Sequence, residues 1–165
     1  MNIKRLDSTH AELYKKLRLK GLKNHPSAFG SSYEEEKEFT VEEFKSRLKS
    51  EFITLGAFKS EQLIGIVTLV KEKKNKLKHR ANIYAMYVDS DYHGMGIGKS
   101  LMKEVIKEAK ELDEVEQIYL SVNRENEAAR KLYNSMGFET FGVDKRALKI
   151  GDTYYDEEHM MLFLS

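Results

Sequence analysis

Three glycines at alternate positions precede a helix-forming segment in the stretch DYHGMGIGKSLM, at Gly94, Gly96 and Gly98. Backbone N–H groups in the first turn of a helix have no partner within the helix, and the helix dipole adds positive potential there. Glycine also lets a bound group approach the backbone closely. The stretch therefore predicts an anion site, best suited to a phosphate.

Two common phosphate-binding loops fit this stretch poorly. Gly98, Lys99 and Ser100 look like the end of a P-loop, G-x-x-x-x-G-K-[ST], but the first glycine of that motif would fall at His93. The dinucleotide fingerprint G-x-G-x-x-G, started at Gly94, requires a glycine where Lys99 stands. Two alternatives are left open: magnesium-dependent nucleotide binding through Lys99, and a helix entry that is glycine-rich by chance. The elements around the stretch must decide between these and an anion site of another kind.

Those elements predict an α/β protein. Apolar residues alternate or run together in short segments rich in β-branched and aromatic side chains, and elsewhere they recur at helical spacing. We expect strands over residues 2–6, 52–58, 63–70, 81–88, 117–122, 138–148 and 154–164. We expect helices from Thr9 to within residues 21–26, over 40–50, from the glycine loop to Leu112, and over 126–136.

Local signals mark where three of these helices begin or end. Thr9-His-Ala-Glu12 and Thr40-Val-Glu-Glu43 have the form of a capping box, in which a hydroxyl and a carboxylate satisfy unpaired backbone amides. Gly137 is placed to end the last helix in the left-handed conformation.

Composition limits the class of protein. The 165 residues suit one domain, and no linker or repeat divides them, so we expect a single domain over residues 1–165. A formal net charge of +1 supplies no field for coating nucleic acid, and the absence of cysteine excludes disulfides and thiol nucleophiles. The five histidines show no metal-ligand spacing, so no metal is expected. No signal peptide or membrane-spanning run is present, so we expect a cytoplasmic protein with no membrane partner.

Three segments taken together resemble a known family. They are YVDSDYHGMGIGKSLM, the strand QIYLSV, and NRENEAARKLYNSMGFE, and in order and spacing they are similar to the acetyl-CoA motifs of the GNAT superfamily of N-acetyltransferases over residues 81–138. The resemblance implies a mixed, mostly antiparallel sheet of about seven strands flanked by about four helices. It also implies direct transfer of an acetyl group from acetyl-CoA to a primary amine of a small molecule, peptide or protein.

The resemblance assigns coenzyme A contacts to the loop and its neighbours. The backbone of Met86 and Val88 would pair with the pantetheine arm, and amides of the loop would bind the pyrophosphate, namely those of Met95, Gly96, Gly98 and Lys99. Asn126 would bond the arm, Ala129 would let it pass, and Asn123 would add a contact. The complete expected set is Met86, Tyr87, Val88, His93, Gly94, Met95, Gly96, Ile97, Gly98, Lys99, Ser100, Asn123, Asn126, Ala129 and Tyr133.

One residue of the loop departs from the family pattern. The family usually has Gln or Arg where this chain has His93. A neutral imidazole lacks the fixed charge of Arg, so we expect a weaker or pH-dependent phosphate contact at that position.

The resemblance also implies catalytic roles. Tyr133 matches the family tyrosine that protonates the departing thiolate, although a core aromatic is the alternative for a tyrosine on a buried helix face. The backbone amide of Val88 or its neighbour would stabilise the oxyanion.

The general base is less well defined by the sequence. Some relatives carry a glutamate where this chain has Asn82, and an amide cannot accept the proton. We expect the base in the acidic segment YEEEKE, at Glu34 or Glu35 with Glu35 preferred, or a water relayed by Tyr84 and His79. A solvated run of charge is the alternative interpretation of that segment.

Three further alternatives stay open at this stage. The chain could be a non-catalytic coenzyme A sensor or interaction module, and it could form a homodimer. The basic segment KEKKNKLKHR, residues 71–80, is expected to be a solvated hairpin loop rather than a site for an anionic partner.

Overall fold

A computed structural model describes residues 1–164 as a seven-stranded sheet with helices on both faces. The strand order is β1-β2-β3-β4-β5-β7-β6. The strands are β1 Asn2–Arg5, β2 Ile53–Lys59, β3 Gln62–Lys71, β4 Arg80–Val88, β5 Gln117–Asn123, β6 Glu139–Ile150 and β7 Thr153–Phe163. The mixed, mostly antiparallel α/β architecture expected from the sequence is confirmed.

Five α-helices connect or follow these strands in residues 1–164. They are α1 Ala11–Asn24, α2 Tyr33–Glu36, α3 Val41–Lys49, α4 Ile97–Glu111 and α5 Glu127–Ser135. Four of the five have nine residues or more and match the four expected helices. The additional one, α2, has four residues and lies in the acidic segment, where Ser32 caps it by accepting the Glu35 N–H.

Two hydrophobic cores lie on opposite faces of the sheet. One face packs against α1 and α3 through residues such as Leu17, Phe44 and Ile66. The other packs against α4 and α5, with Leu101 and Val105 fully buried. The apolar stripes of the helices thus explain why the sheet is covered on both sides.

One sheet junction differs from the rest. Neighbouring strands pair antiparallel except β4 and β5, which run parallel with α4 as the crossover between them. That junction has only three register pairs, which join Arg80–Asn82 to Gln117–Tyr119. Because β4 continues to Val88 and β5 to Asn123, both strands run beyond the end of their pairing.

The capping box expected at Thr9 is wrong. Asp7 is the N-cap of a short 3-10 turn, Ser8–His10, and its carboxylate accepts the Thr9 N–H at 2.9 Å. His10 closes the box through its Nδ1, which accepts the Asp7 N–H at 3.0 Å. A carboxylate two residues earlier therefore takes the amide, and α1 begins after this turn, at Ala11.

The other expected helix signals are confirmed. Thr40 and Glu43 form a capping box at the start of α3, and α1 ends at Asn24. Gly137 has a φ of 99° just after α5, a conformation that a residue with a Cβ adopts only with strain.

Candidate functional site

A cavity of about 1350 Å³ opens where β4 and β5 separate. Residues 83–86 and Val88 of β4 line it, together with residues 119–123 of β5. Because the pairing of the two strands ends at Asn82 and Tyr119, the facing backbone edges beyond those residues have no strand partner in this gap. An unpaired strand edge can bind an extended ligand by backbone hydrogen bonds.

A β-bulge lies on the β4 side of the gap. Tyr84 pairs with Thr68 and Tyr87 with Ile66, so Ala85 and Met86 have no register partner on β3. Ala85 has a φ of 55°, which is uncommon for a residue with a side chain. Bulges of this kind redirect a strand and its side chains beside a site.

The glycine loop lies at one end of the cavity and leads into α4. Gly94 and Gly96 have φ values of 80° and 76°, so both adopt the left-handed conformation that favours glycine, and Gly96 is the N-cap of α4. The Ser100 N–H donates to the Gly96 carbonyl at 3.1 Å and makes the first hydrogen bond of the helix. The amides of the three residues before Ser100 therefore have no carbonyl partner in α4 and are available to an anion.

His93 connects the loop to the preceding strand. Its Nε2 lies 2.8 Å from the Val88 carbonyl oxygen, so the ring donates to the end of β4. This hydrogen bond positions the imidazole, which lines the cavity.

The helix α5 supplies the opposite wall of this end of the cavity. Tyr133 lines the cavity and is 6 % exposed, and its ring packs edge-to-face on Phe138 at a centroid distance of 6.0 Å. Burial raises the pKa of Tyr133 to about 12, so the phenol keeps its proton at neutral pH. Asn126 begins the helix, and its side-chain oxygen accepts the Ala129 N–H at 3.1 Å.

The cavity is lined by all of the expected cofactor-binding residues except Tyr87, Met95 and Ser100. The Tyr87 side chain is buried in the core that packs against α1 and α3, where its ring lies 5.8 Å from that of Phe29. The Met95 side chain is exposed to solvent. Ser100 uses its amide within α4, as described above.

The two residues of the acidic segment that were expected to act as the general base do not line the cavity. Glu34 and Glu35 are exposed, neither lines the cavity, and Glu35 Oε1 accepts a hydrogen bond from the Ser32 hydroxyl at 2.8 Å. The segment begins with the short helix α2, and Glu36 is the one of its glutamates that is buried. His79 does not line the cavity either, whereas Tyr84 and Asn82 do.

One carboxylate does line the cavity among the described residues, and it belongs to Glu157 on β7. Burial raises the pKa of Glu157, the charge of Asp144 raises it further, and His159 acts in the opposite direction. His159 lies two residues further along the same strand, lines the cavity, and its Nδ1 is 2.7 Å from the Ser121 hydroxyl. The period-2 alternation of a strand, which places both residues on one face, is the sequence signal that could have identified them.

Three arginines also line the cavity and were not expected there. Arg18 comes from α1, Arg47 from α3 and Arg80 from the start of β4. They are separated by up to 62 positions in the chain, so only the folded structure brings them to one surface.

Other expected sites can be located in the same way. The basic segment forms the connection between β3 and β4, where Lys73 pairs with Glu51 and Lys71 with Glu114. Within residues 1–164, no group of three His, Asp or Glu side chains is arranged to share a metal ion. In the same residues no helix has both the length and the apolar composition needed to cross a membrane.

Comparison with known families shows to which family the chain with this loop and these separated strands belongs. Residues 19–138 match the acetyltransferase (GNAT) family. The chain is a member of the GNAT family. The expected resemblance is thus confirmed for about three quarters of the chain.

Individual GNAT relatives show what this chain is similar to. It is 32 % identical over 97 residues to an L-amino acid N-acetyltransferase of Escherichia coli, covering 56 % of this chain and 59 % of the relative. It is 38 % identical over 56 residues to a spermine/spermidine N(1)-acetyltransferase of Bacillus subtilis, covering 34 % and 37 %. The chain spans 32 % to 59 % of the length of the first curated relatives it matches.

The fold is shared over the whole chain. An acetyltransferase structure from Salmonella typhimurium, solved with its cofactor acetyl-CoA, superposes with a TM-score of 0.82 at 15 % identity, covering 100 % of this chain and 94 % of that one.

Proposed function

We propose that this GNAT chain transfers the acetyl group of acetyl-CoA directly to a primary amine. One observation carries the proposal: the free amides at the start of α4, the unpaired edge of β4 and the Tyr133 phenol all line one cavity. The same cavity is lined by a group of polar side chains that we call its polar half, namely Arg18, Arg47, Arg80, Glu157 and His159. Family membership and the names of the two curated relatives, both N-acetyltransferases, support it.

The residues around the gap fit acetyl-CoA in three respects. The amides of Ile97, Gly98 and Lys99 suit a pyrophosphate, and the β4 edge suits an extended arm with amide groups. A Cβ on Gly98 would lie 3.2 Å from the Met86 Cε, so glycine keeps the space between the loop and β4 open. When bound, acetyl-CoA supplies an acetyl group activated as a thioester.

Tyr133 holds the proton that the departing thiolate needs. A free thiol has a pKa of about 8.5, below that of the buried phenol. Burial disfavours the thiolate in the same cavity as it disfavours the phenolate, so a thiol bound there has a raised pKa as well, and this offsets the rise in the pKa of the phenol. We propose Tyr133 as the general acid.

Glu157 accepts the proton of the acceptor ammonium in this proposal, in place of Glu35. It is the carboxylate that faces the cavity, and its raised pKa brings it closer to that of an amine than an exposed glutamate would be. Tyr84 also lines the cavity, and its pKa is raised by burial and by Glu72, so its hydroxyl stays protonated and can relay a water.

A thiol-release assay with acetyl-CoA and a panel of amines tests the activity, with Tyr133→Phe as the informative variant. We expect turnover that depends on an amine and falls at least tenfold in the variant, while the KM for acetyl-CoA changes little. The exposed Tyr154→Phe is the matched control and is expected to leave the rate unchanged. Equal rates for wild type and Tyr133→Phe would remove the acid role from this residue.

The same assay separates the two alternatives from the enzyme. A coenzyme A sensor would bind coenzyme A, as measured by calorimetry, but release no thiol with any amine. A nucleotide-binding protein would bind ATP or GTP with Mg²⁺ and show no magnesium-independent binding of coenzyme A.

We also propose that residues 1–165 form one domain and that the protein works in the cytoplasm, because the cysteine-free composition suits a reducing compartment. A homodimer stays a prediction, which sedimentation equilibrium would test.

A further inference from the structure

The polar half of the cavity carries an excess of positive charge. Its walls include Arg18, Arg47 and Arg80, against the single carboxylate of Glu157 among the described lining residues. A cavity of this charge favours an anionic group on its ligand and disfavours a ligand that is only cationic.

Arg18 and Arg47 share one buried carboxylate behind the cavity wall. Arg18 Nε and Nη2 donate to the two Glu36 oxygens at 2.6 and 2.8 Å, and Arg47 Nη1 donates to Glu36 Oε1 at 3.1 Å. The Glu36 side chain is 1 % exposed. Two guanidinium groups against one carboxylate leave one positive charge uncompensated at this wall.

Arg47 is the member of the pair that is best placed to meet a ligand. Its side chain is 35 % exposed, whereas that of Arg18 is 12 % exposed. The guanidinium lies 5.2 Å from the Phe39 ring centroid and 5.1 Å from that of Phe44, so it packs against both rings. Only Nη1 contacts Glu36, so the remaining N–H groups are free to bind a carboxylate in the bidentate manner typical of Arg.

Arg80 adds a second positive group that no carboxylate neutralises in residues 1–164. Its guanidinium lies 3.7 Å from the Tyr119 ring centroid, and its Nε is buried without a hydrogen-bond partner. It therefore reinforces the positive potential without itself being part of the Glu36 group.

Building on the acetyl transfer proposed above, we propose that the acceptor is a small amine that also carries a carboxylate, and that Arg47, positioned by Glu36 and supported by Arg18, binds that carboxylate. The carboxylate supplies the anion that balances the arginines, and the amine is left to face Glu157. A polyamine places a second ammonium group in the same positive half and is excluded by repulsion.

Paired acceptors test this directly, because an amide keeps the shape of a carboxylate and removes its charge. The amide also lowers the pKa of the neighbouring amine, so the ratio of carboxylate to amide is compared between wild type and the Arg47 variant. We would compare L-alanine, L-glutamate and L-phenylalanine with the corresponding α-carboxamides, and include spermidine. The amidated peptides Ala-Glu-Ala and Ala-Gln-Ala distinguish a free amino acid from an acidic residue next to a peptide N-terminus. We expect kcat/KM to be about 10-fold to 100-fold higher for the best free carboxylate than for its amide, and no turnover of spermidine.

Arg47→Gln shows whether the preference comes from this residue. We expect the KM for the carboxylate acceptor to rise about tenfold, with the KM for its amide and for acetyl-CoA unchanged. Lys45→Gln, on the exposed side of the same helix and outside the cavity, is the matched control. If Arg47 serves only the packing of α3, the variant lowers the melting temperature and leaves the ratio of carboxylate to amide as in the wild type, which overturns the inference.

A binding measurement keeps this result separate from that of the proposed function. Calorimetric titration of the same compounds into protein saturated with coenzyme A requires no turnover. Preferential binding of carboxylates, lost in Arg47→Gln, supports the inference even if no acceptor is acetylated. Turnover of amides or spermidine equal to that of the carboxylates overturns the inference, while the acetyltransferase activity stands. The inference is also overturned if the Ala-Glu-Ala peptide is acetylated in an Arg47-dependent way and no free amino acid is acetylated.

Discussion

The ion-paired Glu36 makes the stability of the protein depend on acid in a way that can be calculated. Burial alone would raise the pKa of Glu36, but hydrogen bonds from Arg18 and Ser31 and the charges of Arg18 and Arg47 outweigh it and lower the pKa from 4.5 to about 2. Each pKa unit corresponds to about 1.4 kcal/mol, so the ionised carboxylate contributes about 3 kcal/mol to the free energy of unfolding. Because the pKa is lower in the folded state, this contribution is complete above pH 4.5 and is lost as the pH falls toward 2.

Urea denaturation at pH 7, 4.5, 3 and 2, followed by far-UV circular dichroism, measures that loss, with Glu36→Gln as the informative variant. At pH 7 the variant leaves Arg18 without its carboxylate, and we expect it to lower the free energy of unfolding by about 3 to 5 kcal/mol. The gap between wild type and variant should shrink by about 3 kcal/mol between pH 4.5 and pH 2.

The exposed pair of Glu42 and Lys45 supplies the control for this experiment. Glu42→Gln removes an exposed ion pair and should cost less than about 1 kcal/mol at every pH. If wild type and Glu36→Gln lose stability in parallel from pH 4.5 to pH 2, the carboxylate does not titrate as the geometry requires and the reasoning is refuted.

Three further predictions concern the loop, the base and the packing of the sheet. Gly96→Ala should raise the KM for acetyl-CoA and destabilise the fold by about 1 kcal/mol, because its φ of 76° is strained for alanine. Gly142→Ala is the control: no atom lies within 4 Å of the added Cβ, so neither the KM nor the thermal stability should change. Glu157→Gln should lower kcat about 100-fold and abolish the decline of the wild-type rate at acid pH. Because the pKa of Glu157 is raised, that decline should begin at a higher pH than the pKa of an ordinary glutamate would give, and an unchanged pH–rate profile in the variant would rule the residue out as the base. Gly56→Ala should lower the free energy of unfolding by about 1 to 3 kcal/mol in urea denaturation, because the new Cβ would lie 2.6 Å from the Leu6 Cδ2. A loss below about 0.5 kcal/mol would show that the Leu6 side chain moves aside without strain.

The sequence predicts the parts of the molecule that rest on local patterns. Alternation and helical spacing identify the strands and the four longer helices. Three segments within residues 81–138 identify the family, because together they lie in one continuous part of the chain. The cap at Asp7 was missed because two adjacent segments, each with a polar side chain able to accept an amide, compete for the same turn. His10 favours Asp7 by closing the box on the Asp7 N–H, a role that a capping-box pattern ending in Glu or Gln does not contain.

The polar half of the cavity depends on contacts between distant segments. Glu36 lies in a run of charge that by itself indicates a solvated surface, and only its approach to Arg18 and Arg47 turns it inward. Glu157 reaches the cavity because β7 lies beside β5, although 34 positions separate Glu157 from Asn123, its register partner. Pairings across such separations are set by the whole sheet, so residues of this half could not be chosen from the sequence alone.

The short junction between β4 and β5 has a consequence for how the protein reaches its native state. On either side of it lie two antiparallel blocks, β1 to β4 and β5 with β7 and β6. Each block contains pairs of strands that follow one another closely in the chain, namely β2–β3 and β3–β4 in the first and β6–β7 in the second. Hairpins close small loops and form early, whereas a parallel junction with a helical crossover closes a long loop for few pairs. We therefore expect the three pairs at Arg80–Asn82 to be among the last to form and the first to open, as native-state hydrogen exchange would report. A chain with both blocks folded but the junction open would have its glycine loop in place and yet no continuous cavity, so ligand binding would appear only at the final step of folding.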